Sequence, residues 1–394
     1  VEGFVGYDIG LYINGAEQTP DPYIISFTIK DSIYTVFPSV ELFFPDESGY
    51  LLEVGVFTQG MPFNIKYGVT SLSKMLSVNF NVSCADVIQT LVGGGFNGRI
   101  AVKGLHNSFF SKRVAPNLAL KKATVSEAVK KLFSSEDNLI VENTKGNVEA
   151  YAIDDPYRFA REVLLPQATN SKVKPYLFFR NLENELHFES IDLLENSKEI
   201  KKLFYGTLTD DSVEESDAYN MLFSFFPFTE KLDRTLTNFS ANGKLLNKDL
   251  SFEKVDKSIA TNADNKIPVI QSNRIYNEQY LNRQFNPAVN YDQINNGLLA
   301  DAMRSSFFVN KAMCNLSFHP DLVAGRTVEL LVSLEGTDQN MQVSQNYSGK
   351  WLIEQSRHTW DGSQKKGFTN LILCRSSIKP PSDSLLDKKS FSDS

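Results

Sequence analysis

Apolar and polar positions alternate along much of this chain. In IISFTIKDSIYTVFPSVELFFPD, Ile25, Phe27 and Ile29 alternate with Ser26 and Thr28, and Val40, Leu42 and Phe44 alternate after Pro38 and Ser39. A period of two puts one strand face on a core and leaves the other wet. Pro45 and Asp46-Glu47-Ser48-Gly49 close the second strand with turn chemistry. Further strands are expected over Leu51–Thr58, Phe63–Tyr67, Leu72–Val82 and Gly98–Val102, with a short helix over Ala85–Leu91 ahead of Gly93-Gly94-Gly95. Short strands at close spacing, punctuated by Gly and Pro, predict a barrel or sandwich.

The pattern changes near Lys103. In VSEAVKKLF, Val125, Ala128, Val129 and Leu132 fall at helical spacing, and Thr124 with Glu127 makes a capping-box pattern. A second helix is expected over Pro156–Leu165, with Asp155 as N-cap, Pro156 in the first turn and Pro166 as its stop. PYLFFRNLENELHFESIDLL then predicts a hairpin turning at Asn181–Asn184. A β-rich stretch begins near Leu203, where the acidic TLTDDSVEESDAYN precedes the apolar MLFSFFPF. Residues 246 to 290 are rich in Asn, Lys and Asp and predict loops and short strands; helical spacing returns over Tyr291–Met303. In the C-terminal third, Ala312, Cys314, Leu316 and Phe318 define one strand, and Val328, Leu330, Val332 and Leu334 a second. Trp351, Ile353 and Gln355 share a face of a third, which ends at His358, and Thr369, Leu371 and Leu373 define a fourth.

A chain of 394 residues is long enough for two to four domains. Its 29 Phe and 15 Tyr favour strands and interfaces, because each ring buries a large area for few lost torsions. The net charge of −7 argues against a protein that grips phosphate backbones. The three cysteines, Cys84, Cys314 and Cys374, are too far apart for a CxxC pair, so neither a disulfide framework nor a zinc site is expected. Assembly in a reducing cytoplasm follows. VEGFVGYDIG lacks a basic segment followed by an apolar run, so no signal peptide is expected, and no apolar stretch is long enough for a membrane segment.

Candidate chemistry is sparse. His106, His187, His319 and His358 form no HExxH motif. His187 and Glu189 share a strand face, read as a solvated pair on a hairpin rather than a metal or acid–base pair. Gly93-Gly94-Gly95 lacks the GxxxxGK[ST] context of a phosphate loop and reads as a flexible loop. Asp210, Asp211, Glu214, Glu215 and Asp217 lack a calcium-loop register. No GxSxG elbow and no clear carboxylate pair occur, so no catalytic, cofactor-binding or metal residue is assigned, no cofactor is expected, and an enzyme is not expected.

Three segments resemble the baseplate hub proteins of contractile-tailed bacteriophages and, more distantly, the hub part of type VI secretion spike proteins. They are IISFTIKDSIYTVFPSVELFFPD; TVSEAVKKLF with DDPYRFAREVLLPQATNSKVKPYLFFRNLENELHFESIDLL; and FHPDLVAGRTVELLVSLEG with YSGKWLIEQSRHTW and FTNLILCRSS. The resemblance implies an α+β, mainly β chain with two tail-tube-like antiparallel β-barrels. These would be residues 1–103 and, discontinuously, 206–245 with 305–378. An α+β domain (104–205), an insertion (246–304) and a polar C-terminal tail (379–394) would complete the chain. It also implies a homotrimer in the phage tail baseplate of the virion, assembled in the host cytoplasm. Its partners would be the tail tube protein, the central spike protein and other baseplate proteins, with DNA passing through the lumen without specific binding. No sequence repeat relates the two barrel regions. Three alternatives stay open: a tail-tip or secretion-machine adaptor, a tail-associated cell-wall hydrolase, and a carbohydrate-binding adhesin.

Overall fold

A computed structural model of the chain describes residues 6–13, 15–17, 25–45, 57–70, 74–92, 95–111, 118–152, 155–168, 175–206, 220–229, 238–241, 244–246, 252–254, 269–271, 308, 310–335, 341–344 and 346–376. The fold is mainly β. The first strands are β1 (Tyr7–Ile13), β2 (Ala16–Glu17), β3 (Ser26–Ser32), β4 (Ser39–Pro45), β5 (Pro62–Val69), β6 (Lys74–Val92) and β7 (Gly95–His106). A middle group follows: β8 (Leu118–Thr124), β9 (Leu139–Val141), β10 (Asn147–Ala152), β11 (Tyr176–Arg180) and β12 (Leu186–Ser190). Then come β13 (Glu199–Tyr205), β14 (Leu222–Thr229), β15 (Asn238–Ala241), β16 (Lys244–Leu246), β17 (Phe252–Lys254) and β18 (Val269–Gln271). The last are β19 (Asn310–Ser317), β20 (Thr327–Glu335), β21 (Met341–Val343), β22 (Gly349–Asp361) and β23 (Lys366–Arg375).

One 14-stranded sheet holds most of them, in the order β14-β19-β23-β22-β3-β4-β7-β6-β5-β1-β2, with β20 also paired to β22 and β13 and β21 paired to β20. The sheet contains a repeated strand order. β3-β4-β7-β6-β5-β1 and β14-β19-β23-β22-β20-β13 visit their strands in the same chain sequence. The match fails only at the last pairing, which is antiparallel for β1 and β5 but parallel for β13 and β20. The second run curls until Phe204, on β13, bridges to Met221 beside the start of β14.

Each run covers its own apolar core. Ile9, Leu11, Phe27, Ile29, Val40, Leu42, Ile65, Val78 and Val102 belong to the first. Leu203, Phe225, Cys314, Leu330, Val332, Trp351, Ile353 and Leu373 belong to the second. β22 serves both, contributing Trp351 and Ile353 to the second and Trp360 to the first. A bulge at Glu354 shifts the register between Ile353 and Gln355, so the inward positions change from Trp351 and Ile353 to Ser356, His358 and Trp360. Gln355 therefore does not share the face of Trp351 and Ile353, contrary to the simple alternation.

The middle segment packs on the edge of this arrangement through a third core built from Val129, Phe133, Tyr157, Phe178, Phe188 and Leu352. The helix Val125–Leu132 carries the expected capping box: Thr124 and Glu127 each bond the other's backbone N–H. Asp155 caps Pro156–Phe159, accepting from the N–H groups of Tyr157 and Arg158. The helix continues through a wide turn at Ala160–Leu164 and ends in a tight turn at Leu165–Gln167, which contains Pro166. β11 and β12 form the expected hairpin, but every residue of both is buried, because the third core lies on one face and the seam described below on the other. β15 to β18 form a separate four-stranded sheet in the order β17-β16-β15-β18.

Ala85–Leu91 is strand, not helix. It belongs to β6, which pairs with β7 as far as Val92 opposite Gly95. Val87, Ile88, Thr90 and Val92 are β-branched and lose little freedom in a strand. In the candidate strand Leu51–Thr58, residues 51–56 lie outside the described residues, while Phe57 and Thr58 precede the turn into β5. The expected helix Tyr291–Met303 and the tail 379–394 also lie outside them.

Gly325 ties the hairpin to β20. Its φ is +84°, and a Cβ there would lie 2.5 Å from Cζ of Phe179. Replacing Gly325 with Ala adds left-handed strain of about 1–2 kcal/mol and overpacking of roughly 1–3 kcal/mol. Urea unfolding of Gly325→Ala should therefore show a loss of about 2–5 kcal/mol against the parent.

Candidate functional site

Buried polar groups collect where β3 meets β22. The two strands pair antiparallel from Ser26 opposite Asp361 to Ser32 opposite Gln355, which sets Asp31 against Ser356. Asp31 is buried. Its Oδ1 accepts the Ser356 hydroxyl at 2.5 Å, and its Oδ2 accepts the backbone N–H of Leu182 at 2.9 Å and of Ala324 at 3.1 Å. One carboxylate thus ties β3 to β22, to the β11–β12 turn and to the loop entering β20. Burial pushes its pKa up to about 6, against the pull of those same hydrogen bonds.

A string of side chains continues from Ser356 along the seam. Ser356 Oγ lies 3.3 Å from Nε2 of His358, whose Nδ1 is 3.0 Å from Thr369 Oγ1. Thr369 Oγ1 also accepts the His319 N–H at 2.8 Å, and His319 Nε2 lies 3.1 Å from Asn220 Oδ1. Burial lowers the pKa of His358 to about 3 and also lowers that of His319, so both rings are neutral. Asp31, Ser356 and His358 are the residue types of a nucleophilic triad in the wrong order. The carboxylate accepts the serine hydroxyl's hydrogen bond, and among the described residues the imidazole's hydrogen-bond partners are Ser356 and Thr369 rather than a carboxylate. All three are buried, and their hydrogen bonds stitch neighbouring strands together.

A charged cluster lies beside it. Arg326 donates to Glu183 at 3.0 Å through Nε and to both oxygens of Glu185 at 2.9 and 2.8 Å through one terminal nitrogen. Glu185 also meets His187 Nε2 at 3.2 Å, and His187 Nδ1 lies 2.6 Å from Glu189. The imidazole stacks on Phe179 with ring centres 4.7 Å apart. Burial alone would lower the His187 pKa, but the two carboxylates outweigh it and leave it raised. His187 and Glu189 do share a strand face, as expected, but the pair is buried rather than solvated, since Arg326, just ahead of β20, closes over the hairpin.

The remaining candidates scatter. His106 is buried, accepts the Ser108 N–H at 3.3 Å, and has its pKa lowered to about 3 by burial and then by Arg180. His358 is not a strand end: β22 runs on to Asp361 because β3 pairs with it there. Gly93, Gly94 and the acidic residues Asp210 to Asp217 lie outside the described residues, while Gly95 pairs with Val92. Among the described residues, no group of three or more His, Cys, Asp or Glu is placed to hold a metal. Cys314 and Cys374 are buried and Cys84 is exposed, all three free. No helix among the described residues is long and apolar enough to cross a membrane. The conspicuous surface feature is β14, where Phe223, Phe226 and Phe228 are 62%, 60% and 38% exposed, beside Met313 at 51%.

Asp31, Ser356 and Arg326 were not singled out from the sequence. A signal exists for Asp31, a polar residue at the inward parity of Ile25, Phe27 and Ile29, whereas Ser356 turns inward only past the bulge at Glu354. Arg326 has none, because its partners lie about 140 residues away in sequence.

No family model matches the chain, and no curated protein matches it by sequence. Solved structures do. The tail protein from Neisseria meningitidis MC58 aligns over 95% of this chain and 98% of its own, at TM-score 0.52 and 13% identity. The 43 kDa tail protein of prophage MuSo2 from Shewanella oneidensis aligns over 93% and 98%, at TM-score 0.54 and 11% identity. The chain has the fold of these phage tail proteins. A component of the E. coli type VI secretion system, described as similar to T4 bacteriophage tail proteins, aligns at TM-score 0.44 and 12% identity, a likeness too slight to build on. The tail-protein fold agrees with the resemblance read from the three sequence segments.

Asp31→Ala strips the acceptor from three buried donors and should cost about 3 kcal/mol or more in urea unfolding at neutral pH. Asp31→Asn keeps acceptors for the two backbone donors and should retain the fold. It should also alter the pH profile. The raised pKa means that Asp31 stabilises most below pH 3.8 and that this contribution is lost as pH rises through about 6. His358, His319 and His106 act oppositely: their contribution is complete above pH 6.5 and lost as pH falls. Asp31→Asn removes the counterweight, so its stability should fall more steeply with acid between about pH 6 and 4. The added slope is up to about one proton, ~1.4 kcal/mol per pH unit.

Proposed function

We propose that the chain is the structural hub of a phage tail baseplate, a homotrimer that adapts the sixfold tail tube to the threefold central spike and leaves a channel for DNA ejection. The observation that carries this reading is the strand order repeated across one continuous sheet. A trimer meets a six-membered ring evenly only if each subunit offers two near-equivalent surfaces. Two strand sets of the same order, each on its own core, supply that condition. Their likeness in fold to phage tail proteins supports the same setting.

In this reading the two sets build two tube-like barrels, residues 1–103 and residues 206–245 with 305–378, the second completed by β13 from the end of the preceding segment. Residues 104–205 form an α+β domain on their flank, 246–304 an insertion and 379–394 a tail. The tail tube protein, the central spike protein and other baseplate proteins are the partners, in a contractile injection system assembled in the host cytoplasm. The role is structural rather than enzymatic. The buried histidines and carboxylates of the seam spend their hydrogen bonds on one another and on backbone groups. A net charge of −7 suits a channel that DNA crosses without specific binding.

Light scattering on the purified chain, with electron microscopy of the same fractions, tests this reading. A mass of three chains and rings with six similar lobes are expected. A monomer at high concentration, or rings with three lobes, would sink it.

A further inference from the structure

The repeated strand order makes the internal seam a template. β22 gives Gly349–Leu352 to β20 and, past the bulge at Glu354, gives Gln355–Asp361 to β3. β6 is built the same way. Lys74–Asn81 pairs with β5, a bulge at Ser83 follows, and Cys84–Val92 runs on beside β7. Among the described residues, no strand pairs with the other edge of Cys84–Val92.

The strand that corresponds to β3 in the second set is β14, which ends the sheet. β19 pairs with one of its edges, and on the other, among the described residues, the Phe204–Met221 bridge reaches only the position before its start. Its sequence, LFSFFPFT, carries no charge, and three of its phenylalanines are exposed. Soluble monomers usually protect an edge strand with charges. Among the described residues, one chain therefore carries an occupied seam, β3 on β22, and two halves of a second without strand partners on these edges.

We infer that β14 of one copy pairs antiparallel with Cys84–Val92 of the next copy, in the register that β3 adopts on β22. The inference rests on the trimeric reading above. The register follows from equivalent rows. Val40, Gly104 and Val82 align across β4, β7 and β6 just before one bulge, as Ala312, Leu373 and Ile353 do across β19, β23 and β22 just before the other. Ile29 pairs with Val40 and Pro227 with Ala312, so Pro227 corresponds to Ile29. Ile29 faces His358, five residues past Ile353, and the residue five past Val82 is Val87. Pro227 then opposes Val87, Phe226 opposes Ile88, Phe228 opposes Asp86 and Thr229 opposes Ala85. Pro227 has no N–H and can contribute only its carbonyl at its rung, so the full rungs fall to the positions two residues to either side, Phe225 and Thr229. The pairing also accounts for the exposed aromatics. Ile372, Met313 and Phe226 form a row across β23, β19 and β14, and the register sets Ile88 at its end. A head-to-tail contact of this kind alternates with the internal seam and closes a ring when the rotation per strand set is one sixth of a turn.

Disulfide trapping tests the junction in the full chain. In a Cys84→Ser background, Phe226→Cys with Ile88→Cys should form covalent dimers and trimers on mild oxidation. Opposed strand residues lie roughly 4.5–5.5 Å apart at Cα, within disulfide reach. Phe226→Cys with Val87→Cys, one residue out and on the opposite face, should not. A trimer by light scattering with no in-register cross-link, or with equal cross-linking of both pairs, overturns the junction and leaves the trimeric reading standing. A monomeric parent overturns both. As a second measure, Phe226→Asp alters a side chain exposed in the single chain, so thermal unfolding of the monomer should not change. The concentration at which trimers form should rise at least about tenfold. Trimers as tight as the parent's overturn the proposal.

Discussion

The carboxylate of Asp31 is the point on which the two halves of the sheet turn. A strand can belong to two cores only if something sets where one ends and the other begins. Asp31 does this at the place where β22 leaves β20 and takes up β3. Its acceptors are spent on a hydroxyl and two backbone N–H groups drawn from three separate segments. A slip of β3 by one residue would carry Asp31 to the outer face and bring Lys30 or Ser32 inward, leaving those donors without acceptors. The hydrophobic faces alone do not discriminate as sharply, because apolar contacts are not directional. The energetic tension at this site, a buried carboxylate whose pKa is pushed upward, is the cost of that discrimination.

The bulge at Glu354 works with it. Trp351 and Ile353 pack into one core, Ser356, His358 and Trp360 face the other side of the boundary, and the inserted residue keeps the inner face continuous while the strand twists. Glu354 is not idle in this position, since Lys311 on β19 lies 3.0 Å from it. The corresponding bulge at Ser83 in β6 has a hydroxyl that donates to the Lys103 carbonyl at 2.8 Å. Two bulges at matching places in two strand sets point to a geometric requirement shared by both, not to two local accidents.

Much of this was readable from sequence. Alternation located β3, β4, β19, β20, β22 and β23, and the capping residues Thr124 and Asp155 marked both helix starts. β1 carried the same signal in Ile9, Leu11 and Ile13 and passed unnoticed. The long arm of β6 was misread because Ala85–Leu91 has no strict alternation, and its strand character comes from pairing with β7. The repeated strand order leaves no sequence repeat, because it resides in the pairing of strands. The paired positions Ile29 and Pro227, or Gly104 and Leu373, share no chemistry, only a place in the ladder. The seam was hidden for a related reason. The inward parity of Asp31 hints at burial, but its role depends on partners 151 and 293 residues away.

The two seams of the proposed ring differ in composition in the direction that chain connectivity demands. β3 and β22 belong to one polypeptide, so their encounter is intramolecular, and the seam can include buried polar groups whose net contribution is small. Asp31, Ser356, His358 and Thr369 fit that role: they select a register more than they drive association. Separate chains must also offset the translational and rotational freedom lost on meeting, several kcal/mol at least. Apolar area is the term that supplies it, and β14 presents Phe226 and Phe228 where β3 presents Thr28 and Lys30, with Phe223 exposed as well at the bulge before Ser224. An edge rich in exposed aromatics would be a liability in a chain that worked alone. In a ring of three copies it is where the association energy has to reside.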